Sequence, residues 1–332
     1  MPCYGGILMK YNLNYITERG VTLLELMVAL ALGLIISAAA IQLFLISQRS
    51  ITTQQALSNM QSDSIFGLEA LIRDIRLANL NADQPYMDDS VLHGGVVLNG
   101  RNYTSKRQAT PKENEADITL TNALSIGEQG SSNLNGIKSD QLVIQYKNIL
   151  DSQFDCEGNS LSKDVFVVER YFLRTDTNRN DPNQALSLAC KSFVYSGDTP
   201  TKIDLSGDGQ IVIPRVDHFS VMLRIAQDGR NAACNADDAT QKDGNMDCFG
   251  DIKIEDYKKL TATIKPQIVA VKIGLLIRST NTVGENKFFN KDQLYQILQT
   301  SGKLIENDKN KLYVRNVVTQ TIAMRNGFGI AK

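Results

Sequence analysis

Apolar residues follow three different rules along this 332-residue chain. Between Val21 and Ile46 they form a run broken only by Thr22, Glu25, Ser37 and Gln42. Such a run is long enough to cross the roughly 30 Å hydrocarbon core of a bilayer as a helix. From Leu57 the pattern thins to a stripe of Leu57, Met60, Ser64, Leu68, Leu71, Ile75 and Ala78, at spacings of three and four. Gln54, Gln61, Glu69, Arg73 and Asp74 are then expected on the more exposed side. No proline intervenes before Pro85, so the spacing predicts one helix from Val21 to Leu80, about 90 Å long at 1.5 Å per residue. Gly67 is its weak point, and a membrane anchor followed by a separate stalk helix is the alternative. Asn79, Asn81 and Pro85 supply the stop signals.

Beyond residue 90 the period shortens. Ala116 to Thr121, Gln141 to Lys147, Val165 to Leu173, Leu186 to Tyr195, Gln210 to Ile213, Val216 to Ile225, Val269 to Arg278 and Leu312 to Ala323 are short runs rich in Val, Ile, Tyr, Phe and Thr. They read as strands. The turn-rich segments Ser105 to Glu115, Gly127 to Ser139, Thr175 to Gln184 and Gln227 to Gly250 read as surface loops, and Asn290 to Leu298 as a short helix. Strands without regular helical crossovers imply an α+β fold, with an antiparallel sheet laid against the end of the long helix.

Charge sharpens the picture at one junction. The polar leader closes with Thr17-Glu18-Arg19-Gly20, the apolar run opens at Val21, and the only charge inside it is Glu25. A secretory signal is cut after its apolar core, whereas the recognisable boundary here, Arg19-Gly20, lies before it, so cleavage would leave the anchor in place. Lys10 and Arg19 favour a cytoplasmic N-terminus, which puts everything after about residue 47 outside the cytoplasm. A carboxylate inside an apolar helix costs about 2 to 3 kcal/mol and calls for a partner. Cutting after Gly20 would create one, because the new α-amine of Val21 lies one helical turn from Glu25, in its own chain or in a neighbour. A plain single-pass anchor with Glu25 near the interface is the bland alternative. Met9, followed by Lys10, is the expected translation start and gives a leader of residues 9–20.

Composition describes a folded remainder: 42% of residues are hydrophobic and 21% charged. Loss of Lys10, Arg19 and Glu18 from 35 basic and 36 acidic residues leaves a formal charge of −2, far from a nucleic-acid groove. Of five cysteines Cys3 falls in the leader, leaving Cys156, Cys190, Cys234 and Cys248. In an oxidising compartment these suit two disulfides; of three possible pairings we favour Cys156 with Cys190 and Cys234 with Cys248, while free thiols or a metal site stay open. There is no Gly-x-Ser-x-Gly elbow or phosphate loop, and His93 and His218 are the only imidazoles. His218 sits in a strand and reads as packed, and the strand aromatics read as sheet core. Asp204, Ser206 and Asp208 with Gly209 copy the first half of a calcium loop, but Arg215 stands where the bidentate glutamate belongs, and a tight hairpin turn is the simpler reading. Asp237, Asp238, Asp243, Asn245 and Asp247 form a second, weaker acidic cluster. No cofactor, metal or catalytic residue is expected.

The junction Gly20-Val21-Thr22-Leu23-Leu24-Glu25 resembles the processing site of type IV prepilins and type II secretion pseudopilins, with Val21 where phenylalanine or methionine is common. Ser64 to Asn79, Leu188 to Cys190, Arg215 to Arg224, Ala270 to Ser279 and Tyr313 to Asn326 resemble the PilW-type minor pilins. Gln42 replaces the kinking proline of many major pilins. The resemblance implies a leader over 1–20, cleaved by a prepilin peptidase after Gly20 with N-methylation at Val21. It also implies a membrane and assembly helix over 21–46, its periplasmic half over 47–82 and a β-rich periplasmic domain over 83–332. Such a protein would prime or join the tip complex of a pilus and support twitching motility, adhesion and DNA uptake. Its partners would be other minor pilins, the major pilin, the inner-membrane assembly platform, a tip adhesin and membrane lipid, with no nucleic acid bound directly. A GspJ-like pseudopilin shares the architecture, and a tethered periplasmic binding domain that never polymerises is the third reading.

Overall fold

The computed structural model describes residues 20–104, 119–177, 185–228, 244, 246, 248–261, 265–283, 290, 292–309 and 311–329. Two compact units divide the chain, Met1–Ile51 and Thr52–Lys332. One α-helix, α1 (Leu23–Leu77), contributes to both and runs through Gly67 without a break. In the first unit residues 20–51 are exposed throughout, Leu23 at 77% and Phe44 at 61%, so no described residue covers this apolar run.

In the second unit the helix changes chemistry. Ala56, Met60, Ser64, Leu71, Ile75 and Ala78 are buried, whereas Leu57, expected in the same stripe, is exposed. Each buried Leu or Ile of this kind is worth about 2–5 kcal/mol against alanine. Asp74, expected on the solvent side, is also buried, because the sheet offers it the hydroxyl of Tyr171. Gly67 is a point of closest approach rather than of weakness. A Cβ there would lie 2.4 Å from the Val212 carbonyl oxygen and 2.5 Å from Ile213 Cγ1. The helix stops at Leu77, and Asn79 and Asn81 take left-handed backbone, φ 64° and 54°, which asparagine tolerates. The Asn79 side chain accepts from the Gly95 N–H at 3.0 Å and donates to the carbonyls of Gln84 and Asn326 at 3.0 and 2.7 Å.

The strands follow in chain order: β1 (Thr119–Thr121), β2 (Ile126–Gly130), β3 (Ser139–Asn148), β4 (Gln153–Phe154), β5 (Ser160–Leu161), β6 (Val165–Thr175), β7 (Leu186–Tyr195), β8 (Lys202–Asp204), β9 (Gln210–Ile213), β10 (Val216–Gln227), β11 (Cys248–Lys253), β12 (Gln267–Thr282), β13 (Tyr295–Ile297), β14 (Thr300–Gly302) and β15 (Tyr313–Ala323). Five form one antiparallel sheet in the order β2-β3-β6-β7-β9, and four form another, β11-β10-β12-β15. Alternation along β3 divides two cores. Leu142 and Ile144 join α1 and the inner face of the four-stranded sheet, while Val143 joins Tyr103, Phe166 and Ile203 on the opposite face. Among the described residues only β1 and β8 pair in parallel.

Three expectations are corrected. Asn290 to Leu298 holds not a helix but the hairpin β13–β14: Tyr295 and Ile297 are buried with Gln296 exposed between them, a period of two. The segment Gly127 to Ser139 carries most of β2 rather than loop alone, and a helix absent from the expectation, α2 (Ile254–Lys259), follows β11. The predicted loop Ser105 to Glu115 lies outside the described residues.

Polar groups between helix and sheet are tightly arranged. The Tyr171 hydroxyl lies 2.9 Å from Asp74 Oδ2 and 3.1 Å from Glu169 Oε2, and Glu169 Oε1 accepts from the Cys156 N–H at 2.9 Å. One hydroxyl proton cannot serve two carboxylates, so one acid of the pair holds a proton itself. Burial first, and then the neighbouring Asp74, raises the Glu169 carboxyl well above the usual range. Beside it Cys156 and Cys190 form a disulfide, Cα–Cα 6.1 Å, closing a separation of 34 residues; chain entropy values such a loop at about 3–4 kcal/mol.

Two outcomes test this packing. Gly67→Ala should lower the free energy of unfolding by about 1–2 kcal/mol in urea despite alanine's better helix propensity, because the added methyl meets backbone; a gain in stability would contradict the close approach. The second concerns pH. A carboxyl whose folded pKa is raised contributes its stability below the unfolded value of about 4 and loses it as pH rises through the folded pKa. Unfolding midpoints of wild type and Glu169→Gln should therefore diverge between about pH 5 and 9, with the wild type falling relative to the glutamine variant. A constant gap would show that Glu169 is ionised throughout.

Candidate functional site

The first turn of α1 is built around Glu25. Thr22 stands at the N-cap, its hydroxyl accepting from the Glu25 N–H at 3.3 Å, while Glu25 Oε2 reaches back to the Thr22 N–H at 2.9 Å and its hydroxyl at 3.1 Å. This is a capping box, and the Thr-x-x-Glu spacing in the sequence was the signal for it. Glu25 is thus at the third helical position, where the positive end of the helix dipole also favours a carboxylate, and not in mid-helix. Gly20 and Val21 precede the helix in non-helical, exposed backbone, accessible from solvent on the N-terminal side of the cap. Oε2 carries both described contacts, so Oε1 is the oxygen left for a cation arriving at the helix start.

The cysteines divide between described and undescribed residues. Cys156 and Cys190 are bonded, and Cys248 is disulfide-bonded and buried; Cys234 lies outside the described residues. Among the described residues the one cluster with metal-ligating types is Cys156, Glu169 and Cys190, and its two sulfurs are joined to each other.

At the calcium-like loop the Asp204 carboxylate is engaged by its own neighbours. Asp204 Oδ1 accepts from the Ser206 N–H and hydroxyl, and Oδ2 meets Lys202 Nζ at 3.1 Å. Those hydrogen bonds from Ser206 hold the half-buried Asp204 carboxyl down at about 2. Asp208 faces solvent. The turn is not the expected hairpin, since it joins β8 to β9 in different sheets. Gly209, φ 62°, lets it pass Cys190, whose carbonyl oxygen would lie 2.2 Å from a Cβ. The acidic positions 237, 238, 243, 245 and 247 lie outside the described residues.

Neither histidine makes a catalytic constellation. His93 stacks on Phe166 at 4.0 Å, with Nδ1 3.0 Å from Asp83 Oδ2 and Nε2 2.9 Å from the Asp198 carbonyl. His218 is buried on β10, its Nδ1 2.9 Å from Ser132 Oγ and 3.2 Å from Ser139 Oγ. Burial pushes it down to about 4, so it is neutral at physiological pH. Both serine hydroxyls also accept backbone N–H groups, of Leu134 and Phe219, and no described carboxylate hydrogen-bonds the ring, so it lacks the orienting acid of a triad. His218 borders a cavity of about 170 Å³ with Asp140, whose carboxyl is raised to about 6 by burial although it accepts from the Glu128 and Val221 N–H groups.

Comparison with known proteins assigns both ends of the chain. Residues 17–41 match the prokaryotic N-terminal methylation motif, and residues 170–326, from β6 through β15, match the family described as type IV pilus-assembly protein W. No curated protein matches the chain at a significant level. Among solved structures it is similar to a type IV-like pilin from Thermus thermophilus, at 11% identity over 64% of this chain and 87% of that one, with a TM-score of 0.29. The chain therefore carries a PilW domain of type IV pilus-assembly proteins together with the N-terminal methylation motif of prepilin-type proteins.

Proposed function

We propose that this protein is a minor pilin that primes, or forms part of, the tip complex of a type IV pilus, and acts by assembly rather than catalysis. What supports the reading above all is that a methylation motif and a PilW domain occur on one chain. In this reading a prepilin peptidase cuts after Gly20, residue 21 becomes the N-methylated terminus, and residues 21–46 anchor the subunit in the inner membrane before extraction into the fibre. Residues 47–82 continue the helix in the periplasm, and 83–332 form the β-rich domain there.

The capping box supplies the assembly chemistry. With Oε2 held by Thr22, Glu25 presents its other oxygen to the α-amine of a neighbouring subunit, a charge-assisted bond strengthened where water is excluded. The exposed apolar side chains of residues 21–46 find lipid first and the helices of other minor pilins and the major pilin afterwards. The inner-membrane platform would drive that transfer, and a tip adhesin would ride on the assembled complex. Twitching motility, adhesion and DNA uptake would follow from the fibre.

Deletion and complementation in the parent cell test this reading. Loss of the gene should abolish surface pili and twitching, wild type should restore both, and Glu25→Ala should accumulate as anchored protein yet restore neither. Mass spectrometry of the restored protein should find a methylated Val21 terminus. Intact pili with blocked exoprotein release would instead identify a GspJ-like secretion pseudopilin. Full restoration by Glu25→Ala would leave a tethered binding domain.

A further inference from the structure

The end of α1 and the turn Arg325–Gly327 enclose an open groove of about 630 Å³. Ile72, Leu77 and Leu80, each half-buried, give it an apolar floor, and Arg73, Arg76 and Arg325 stand around that floor. Glu69 is the single carboxylate lining it among the described residues. Arg73 is engaged on one side by Asp74 at 3.1 Å but keeps 70% of its side chain exposed. Arg76 and Arg325 are exposed and form no ion pair among the described residues.

The groove is built rather than incidental. Asn326 Nδ2 donates to the carbonyls of Arg76 and Ala78, both at 3.3 Å, and its own carbonyl accepts from Asn79 Nδ2 at 2.7 Å. These bonds fasten the turn that carries Arg325 to the helix end that carries Arg76, so the two arginines border one floor. Like charges gathered this way raise one another's free energy until an anion joins them.

We propose that this groove is a docking site for an acidic segment of another protein, which sets carboxylates against the three guanidiniums and an apolar side chain on the floor between them. Planar guanidinium matches carboxylate in bidentate fashion, and an apolar floor adds the contact that a free anion cannot use. Among the described residues no aromatic side chain lines the groove, and the chain carries a formal charge of −1, which does not favour a nucleic acid as its occupant. The site stands apart from the assembly role of Glu25 and does not require it.

The test uses the full-length protein in a non-ionic detergent and a fluorescein-labelled peptide of about 14 residues built from Leu and Glu. Fluorescence anisotropy should report binding that weakens at least about tenfold in Arg76→Glu/Arg325→Glu and falls with added salt. The same peptide with Gln for Glu should not bind. Arg325→Gln, a milder change on an exposed side chain, should give an intermediate loss, and an unchanged urea midpoint for that variant separates lost docking from lost folding. Absence of peptide binding, binding indifferent to both variants, or tighter binding of a single-stranded oligonucleotide of equal length would each overturn the proposal.

Discussion

Contact between α1 and the two antiparallel sheets governs the second unit. From Met60 to Ala78 one side of the helix enters the same core as Leu142, Tyr171, Ile213, Phe219 and Leu275, so helix and sheets cannot be packed separately. Gly67 makes this possible by letting helix backbone meet the Val212 carbonyl at a distance no side chain permits. The left-handed Asn79 then ends the helix, and its buried amide ties that end to nearby Gln84, to Gly95 and to Asn326 near the other end of the chain.

Close packing forces polar groups into the interior, where each must be answered. Asp74 and Glu169 share the Tyr171 hydroxyl, and protonation of one acid removes the repulsion that two buried carboxylates would suffer. Across the four-stranded sheet Arg315 Nε meets Asp217 at 2.6 Å, Asn133 donates to the other Asp217 oxygen at 2.8 Å, and Arg278 lies over the Tyr313 ring at 4.5 Å. This cluster joins β10, β12 and β15; removing one member would leave a buried charge unpaired at about 3–5 kcal/mol. The fully buried Arg278 is tolerable here because Asp217 and Asp308 lie within 4 Å of its guanidinium, at 3.9 and 3.8 Å.

Much of the fold was legible from periodicity. Leu186–Tyr195 and Gln210–Ile213 are strands with the bounds their composition suggested, and the helix ends two to three residues from where it was expected. Legibility failed where two periods compete over a short span. Tyr295-Gln296-Ile297 alternates in the structure, but three residues cannot distinguish that from part of a helical turn. Asp74 looked like a surface residue because charge normally seeks water, and only the arrival of Tyr171, 97 positions away, makes its burial affordable. Glu25 stands out in the sequence by its charge, but the Thr22 spacing also encodes a cap, which is a local hydrogen-bond problem before it is an assembly one.

Local sequence alone determined that an apolar helix begins between Gly20 and Glu25, after a segment bearing Lys10, Glu18 and Arg19, and that a strand-rich region follows. These properties depend on neighbours within a turn or two, so periodicity and charge suffice to read them. Only the tertiary structure decided that Gly67 is a contact, that Cys156 and Cys190 meet, and that Arg76 and Arg325 border one groove. Those outcomes depend on which distant segments lie side by side, and that is set by filling a shared core, a sum over many contacts that no single stretch of chain contains.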